Sequence, residues 1–323
     1  MSNSPWASMK RPHQSDDIST RKLAIGREDG ISVFWVLTYD GLPAFKVEYP
    51  VGSEDARLPR FKTLRVTKRV NPAKGVRAVQ IDLLNLEMTP LFERLCLDIA
   101  DSMARCQPKR ACVHLKLRLE KWKLLLSGKP DLSPEAEKGL IAELRFLQRN
   151  VLQLYSPADA IAAWAGPDKS ARDFVLGNTC VEVKSNRGTL TGKVSISSEK
   201  QLSVKPPERL FLYVLGINES PSSGESLRDV VGEVRASLVD DLLAQEEFDL
   251  KVASVGYRAD RDDDERRWAE GLELVYEVRD GFPRLSPDDL MAGIMHTKYD
   301  IDLSYCSEYL TTIEYMSKSM GEQ

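Results

Sequence analysis

The chain has 323 residues, 42% of them hydrophobic and 29% charged, which is enough apolar material for one or two packed cores. Its net charge of −4 is unevenly spread: residues 1–125 carry 22 Lys and Arg against 14 Asp and Glu, leaving that part basic and the remainder acidic. Three histidines (His13, His114, His296) and five scattered cysteines without a CxxC pair argue against a histidine-ligated zinc centre, a histidine-based triad or a disulfide framework, and no glycine loop of the GxxxxGK[ST] or GxGxxG type is present to cradle a nucleotide.

No run of apolar residues is long enough to cross a bilayer and no secretory signal opens the chain, so reduced thiols in a cytoplasmic protein are the expectation. Residues 1–23 are polar, proline-bearing and mixed in charge, and read as a flexible lead-in. The runs ISVFWVLTY (31–39) and AFKVEYP (44–50) flank Asp40-Gly41-Leu42-Pro43, a turn signal between apolar segments. Two more strands are expected near 60–70 and 77–86, completing a β-meander with Phe34, Trp35 and Tyr39 in its core. The basic run Arg57, Arg60, Lys62, Arg65, Lys68 and Arg69 has two readings: a surface for sugar-phosphate contact, or an edge strand kept soluble by charge. Thr89-Pro90 predicts a helix start, with a hydroxyl cap before proline and with Leu91, Leu95, Ile99 and Met103 at helical spacing. Residues 109–127 alternate like a strand at Val113, Leu115, Leu117 and Leu119, but their length without a breaker predicts a helix stopped by Gly128. Residues 24–128 thus read as a β-plus-helix region, with target recognition or contact with a partner protein as the roles expected of it.

The remainder, 129–323, has a different rhythm. Ser133-Pro134 caps a helix reaching about Gln153, with Glu135 and Glu137 in a solvated first turn. Ser156-Pro157 opens a short helix ending at Trp164-Ala165-Gly166-Pro167. Strands are expected at 172–176, 179–185 and 193–197, followed by a helical turn after Ser198 and a fully buried strand, LFLYVLGI (210–217). A helix over 227–245 carries Leu227, Val230, Val234, Leu238 and Leu242 on one stripe. Strands near 271–278 and 300–305 flank the turn Asp280-Gly281-Phe282-Pro283. The three aspartates at 262–264 lack the spacing and glycine of a calcium loop and read as an exposed loop or helix start. The class is α/β in the broad sense (α+β): helix, three strands, helical turn, strand and helix behind the N-terminal region.

The chemistry concentrates in residues 172–185. Gly177-Asn178 is a dipeptide of two-residue hairpin turns, and that loop length places Asp173 opposite Glu182. Their Cβ atoms would then lie about 4.5–5.5 Å apart. Side chains two apart on a strand share a face, so Lys184 joins Glu182 there. Facing carboxylates repel unless a cation lies between them. Mg²⁺ takes one or two carboxylates with water and substrate phosphate, and a neighbouring lysine adds a point charge for a phosphate oxygen or the attacking water. Glu143 belongs to the preceding helix, and its neighbours Gly139, Leu140, Phe146 and Leu147 turn it inward. A carboxylate so placed needs a partner: the site itself, or a salt bridge to an arginine such as Arg172.

Glu143, Asp173 and Glu182-Val183-Lys184 in this order resemble the E…D…E-x-K signature of the PD-(D/E)XK nuclease superfamily. The segments GLIAELRFLQ (139–148), Trp164…Gly166-Pro167, VEVKS (181–185) and ISSEKQL (196–202) are similar, more narrowly, to a bacterial family grouped with that superfamily and associated with DNA modification and defence gene clusters. The resemblance implies a restriction-endonuclease-like core, with Asp173 and Glu182 binding Mg²⁺ (or Mn²⁺ in its place), Lys184 positioning or activating water, and Glu143 completing or orienting the metal shell. Gln201 matches a polar position near the site in related nucleases, or is a helix-surface glutamine. Arg172 stands where the motif has proline. The implied function is a DNA endonuclease in a restriction or defence system, with methyltransferase or ATPase components as partners. A double-strand cut needs two sites or two visits, which makes a homodimer an expectation. Two alternatives stand beside it: a non-catalytic DNA-binding or assembly subunit keeping the fold, and a structure-selective repair nuclease.

Overall fold

The chain folds as two units, Met1–Lys129 and Pro130–Gln323. The computed structural model describes residues 4–10, 19–126, 132–187, 192–258 and 266–322. Gly128 and the three aspartates at 262–264 lie outside the described residues.

The first unit is built on a five-stranded antiparallel sheet. Its strands are β1 (Ser19–Gly26), β2 (Ser32–Thr38), β3 (Pro43–Pro50), β4 (Leu64–Asn71) and β5 (Val76–Leu83), in the order β1-β2-β3-β5-β4. The β2–β3 turn forms where Gly41 adopts φ 78°, a left-handed conformation that a side chain disfavours. Strand alternation puts Val33 and Trp35 with Phe45, Val47, Tyr49, Val79 and Ile81 on the buried face. Two helices follow, α1 (Thr89–Arg105) and α2 (Ala111–Leu125). The helix expected from residue 109 onward is present, as a 3₁₀ turn at Pro108–Arg110 running into α2, and Ser127 lies outside the described residues. The strand-like alternation arises because the helix is covered on several sides, with His114, Leu115, Leu117, Arg118 and Leu119 all buried.

Four expectations for this unit need correction. The sheet is not a simple meander, because β5 returns between β3 and β4 and leaves β4 at the edge. Residues 1–23 are not simply a lead-in: Trp6 is buried, stacked 5.5 Å from Phe92 and edge-on to Trp35, with its indole donating to Ala44 O at 3.0 Å. β1 begins at Ser19, and Arg27 just beyond it donates to Met103 O and Cys106 O at the end of α1. Thr89 starts α1 but does not cap it; its hydroxyl donates back to Leu86 O at 2.6 Å. Tyr39 is exposed, because the strand has already ended at Thr38.

In the second unit α3 (Pro134–Phe146) passes into a π-helical turn at Leu147–Val151 and is followed by α4 (Pro157–Ala163). Ser133 and Ser156 cap these two helices through the backbone N–H groups of Ala136 and Asp159. The strands are β6 (Phe174–Leu176), β7 (Thr179–Asn186), β8 (Lys193–Ile196) and β9 (Arg209–Glu219). After them come α5 (Leu227–Ala236), α6 (Leu242–Val255), β10 (Trp268–Val278), β11 (Tyr299–Asp302), β12 (Leu310–Thr311) and α7 (Ile313–Gly321). The main sheet is mixed, in the order β12-β10-β9-β7-β6, with β7 and β9 parallel and the other pairs antiparallel.

The third expected strand does not extend the hairpin. β8 pairs with β11 in a separate two-stranded sheet, because Val194 and Ile196 close a second core with Leu202, Leu210, Leu212, Ile301 and Leu303. The single helix expected over 227–245 is two helices: Asp241 accepts from Leu243 N and Ala244 N and starts α6 afresh. The strand expected over 300–305 ends at Asp302, where Asp302 accepts from Ser304 N and opens a 3₁₀ turn.

β7 separates two cores. Val181 and Val183 face Leu140, Leu144, Phe146 and the α5–α6 side, whereas Cys180 faces Leu210, Leu212 and Val214. Buried Arg145 anchors α3 on another side by pairing with Glu270 at 2.6 Å and with Glu225 and Glu233. All five cysteines are buried and no disulfide links them. Among the described residues no helix is long and apolar enough to cross a membrane.

Candidate active site

The β6–β7 hairpin forms with the expected register. Gly177 takes φ 60°, and Leu176 pairs with Thr179, Val175 with Cys180 and Phe174 with Val181. One step further, Asp173 stands across from Glu182, just before β6 begins. Backbone and side chain both fix it: Asp173 O accepts from Ala165 N at 2.8 Å and Gly166 N at 3.1 Å, and Asp173 Oδ2 accepts from Val183 N at 2.8 Å.

Glu143 reaches the same place from α3. Its Oε2 accepts from the Trp164 indole at 2.7 Å. A Cβ built on Gly166 would lie 2.9 Å from Asp173 Oδ1 and 3.0 Å from Glu143 Oε2, which puts those two oxygens within about 6 Å of each other. Position 166 is therefore glycine because the chain passes flush against the converging acids. Gly166→Ala should force these carboxylates apart and destabilise the unit by about 1–3 kcal/mol, read as a lowered unfolding midpoint. A variant that melts with the wild type would remove the steric argument.

Arg172 does not pair with Glu143. Its guanidinium donates to the carbonyls of Lys200 and Ser203, clamping the turn at 198–203. That turn carries Gln201, which is not on a helix surface. Gln201 Oε1 accepts from Ser197 N at 2.7 Å and lies 3.5 Å from Lys184 Nζ. Lys184 Nζ in turn sits 2.7 Å from Glu182 Oε1. Glu143, Asp173, Glu182, Lys184 and Gln201 thus converge. Glu137 is a different matter. Expected in a solvated turn, it is buried against Arg266 with contacts of 2.9 and 2.5 Å.

The electrostatics are those of an undercompensated acidic cluster. Burial, then the charge of Asp173, pushes Glu182 up to about 8 despite Lys184. Burial and the Asp173 charge hold Glu143 well above the usual carboxylate range, and burial raises Asp173 as well. Burial disfavours the Lys184 ammonium, but the charges of Glu182 and Asp173 outweigh it and raise the group. Both Glu182 oxygens are buried, and the Lys184 ammonium 2.7 Å from Oε1 is what offsets their charge.

Burial and mutual repulsion oppose ionising three carboxylates beside one ammonium, and a divalent cation would supply the charge that lets them ionise together. The donor set, carboxylate oxygens without histidine or cysteine, suits a hard cation such as Mg²⁺. Among the described residues no group of three or more Asp, Glu, His and Cys side chains is drawn tightly enough to cage an ion unaided. An ion at this place would therefore rest on one or two carboxylates, with water and phosphate as its remaining ligands.

Two positioning residues were invisible from spacing alone. Trp164 supplies the donor to Glu143, and Lys251 on α6 binds Ile161 O at 2.9 Å, Trp164 O and Asp168 at 2.9 Å, pinning the corner that contains Gly166. Trp164 could have been found as the one large aromatic beside Gly166-Pro167; nothing marks Lys251 in the sequence.

Residues 2–304 match the family described as "Putative PD-(D/E)XK family member, (DUF4420)". Neither the curated proteins nor the solved structures contain a significant match.

Proposed function

Given that the chain belongs to the DUF4420 family, we propose that its second unit, Pro130–Gln323, is a divalent-metal-dependent nuclease that hydrolyses phosphodiester bonds in DNA. The observation that carries this reading is Glu182: a fully buried carboxylate pushed up to about 8 by burial and by Asp173, with the Lys184 ammonium 2.7 Å away as its compensating charge. A purely structural buried acid is normally held by several donors besides an ion pair. This one is set beside a second acid instead.

Asp173 and Glu182 would hold the ion, with Glu143 completing or orienting its shell. Bound there, Mg²⁺ or Mn²⁺ supplies Lewis acidity toward the phosphate and lowers the pKa of water. Lys184 presents its ammonium to a phosphate oxygen or to the attacking water, in a pocket where burial strengthens its field. Gln201 limits the directions open to that ammonium, and Trp164 fixes the rotamer of Glu143. DNA rather than RNA as substrate, and a place in a restriction or defence system beside methyltransferase or ATPase components, follow from the family resemblance.

Supercoiled plasmid incubated with the protein and Mg²⁺ should be nicked, with the activity abolished by EDTA and restored by Mn²⁺. Intact plasmid, linear duplex and single-stranded DNA under all these conditions would sink the proposal.

A further inference from the structure

One set of cations in the first unit is used neither by packing nor by the carboxylate cluster. Between Ala56 and Gly75 the chain has seven Lys and Arg and no Asp or Glu, and all seven side chains are exposed. Arg65 and Lys68 have acidic partners in Asp82 and Asp55. Arg57, Arg60, Lys62, Arg69 and Lys74 have no ion-pair partner among the described residues. β4 is the terminal strand of its sheet and pairs only with β5, so the strip runs along an open sheet edge.

Protection of that edge against aggregation accounts for charge on β4 itself. It does not account for Arg57, Arg60 and Lys62, which precede the strand. On β4 the spacing is linear: Arg65 and Arg69 lie on one face, roughly 13 Å apart along the strand. A single phosphate ion would meet one or two of the cations, whereas a polymer with regularly repeated phosphates meets several. Thr67 and Asn71 alternate with these arginines and add neutral hydrogen-bonding groups of the kind that contact sugar and phosphate. The excess of positive charge in residues 1–125 of a chain with net charge −4 gives this unit the matching sign.

We infer that the β4 edge and the loop before it form a docking strip for the sugar-phosphate backbone of a nucleic acid. The inference rests on phosphate attraction in the first unit and is independent of hydrolysis in the second.

The test compares the wild type with the quadruple variant Arg57→Ser, Arg60→Ser, Lys62→Ser, Arg69→Ser. Fluorescence anisotropy with a labelled duplex and a labelled single strand, in EDTA, is recorded over a series of KCl concentrations. These exposed, unpaired positions should leave the circular dichroism and melting unchanged. The variant should bind at least about tenfold more weakly at low salt, and its log–log salt slope for duplex should be shallower by about 3–4. Comparing the two nucleic acids tells which form the strip prefers. Equal affinity and slope in both proteins, absence of binding by the wild type, or displacement of DNA by polyglutamate at matched charge would overturn the inference. The last result would indicate an acidic protein partner. Absence of nicking would leave this result unaffected, so the two readings fail separately.

Discussion

Lys184→Ala should lower Mg²⁺-dependent DNA cleavage by about 10²–10³-fold, the usual consequence of removing one preorganised charge from a water-poor site. Lys184 is the cation in direct contact with Glu182, at 2.7 Å, and its side chain is largely buried. Truncation therefore has a second consequence. It leaves a buried carboxylate without its neighbouring positive charge, a change that costs about 3–5 kcal/mol in comparable sites. The variant should melt well below the wild type in EDTA and recover part of that loss in excess Mg²⁺. Activity is to be compared where circular dichroism shows both proteins folded. Equal cleavage by folded wild type and folded variant would mean the nicking comes from elsewhere. A non-catalytic DNA-binding subunit would show no cleavage in either protein.

Glu182→Gln should have the opposite effect on the metal-free protein. The amide is nearly isosteric, keeps an acceptor for Lys184, and replaces a group that burial and the Asp173 charge push up to about 8, so folding at neutral pH no longer requires proton uptake there. We expect stabilisation of about 1–3 kcal/mol in EDTA, which for a unit of this size raises the melting temperature by several degrees. The same substitution should abolish the stabilisation given by Mg²⁺. For the wild type that stabilisation reaches about 2.7 kcal/mol when the metal is at a hundred times its dissociation constant. Stability and metal response thus move in opposite directions. A structural carboxylate would lose stability on substitution and show no metal response before or after.

Much of the site was legible because local rules specify it. Gly177-Asn178 fixes a two-residue turn, the turn fixes register, and register sets Asp173 across from Glu182. Glu143 could be seen turning inward because its helical neighbours are apolar. What escaped the sequence depends on residues far apart in the chain. The Trp164 contact spans 21 positions and the Lys251 clamp about 90, and neither leaves a periodic trace. Glu137 sat correctly in a first turn whose Glu135 is exposed, but Arg266, 129 positions away, covers Glu137 itself. β8 and β11 were both recognisable as strands, yet their pairing with each other was not, since alternation says which face is apolar and nothing about which edge is paired. The break between α5 and α6 was hidden by Leu238 and Leu242 continuing the apolar stripe through a segment where the Asp241 cap prevails. β1 was missed because STRKLAIG begins polar and has no alternation long enough to stand out.

The most direct measurement of the central claim is a calorimetric titration of Mn²⁺ into metal-free wild type and into the Asp173→Asn, Glu182→Gln double variant. The account predicts at least one saturable site per chain in the wild type and the loss of that site in the variant, with folding intact. Identical isotherms for the two proteins, or no saturable heat from the wild type, would contradict it.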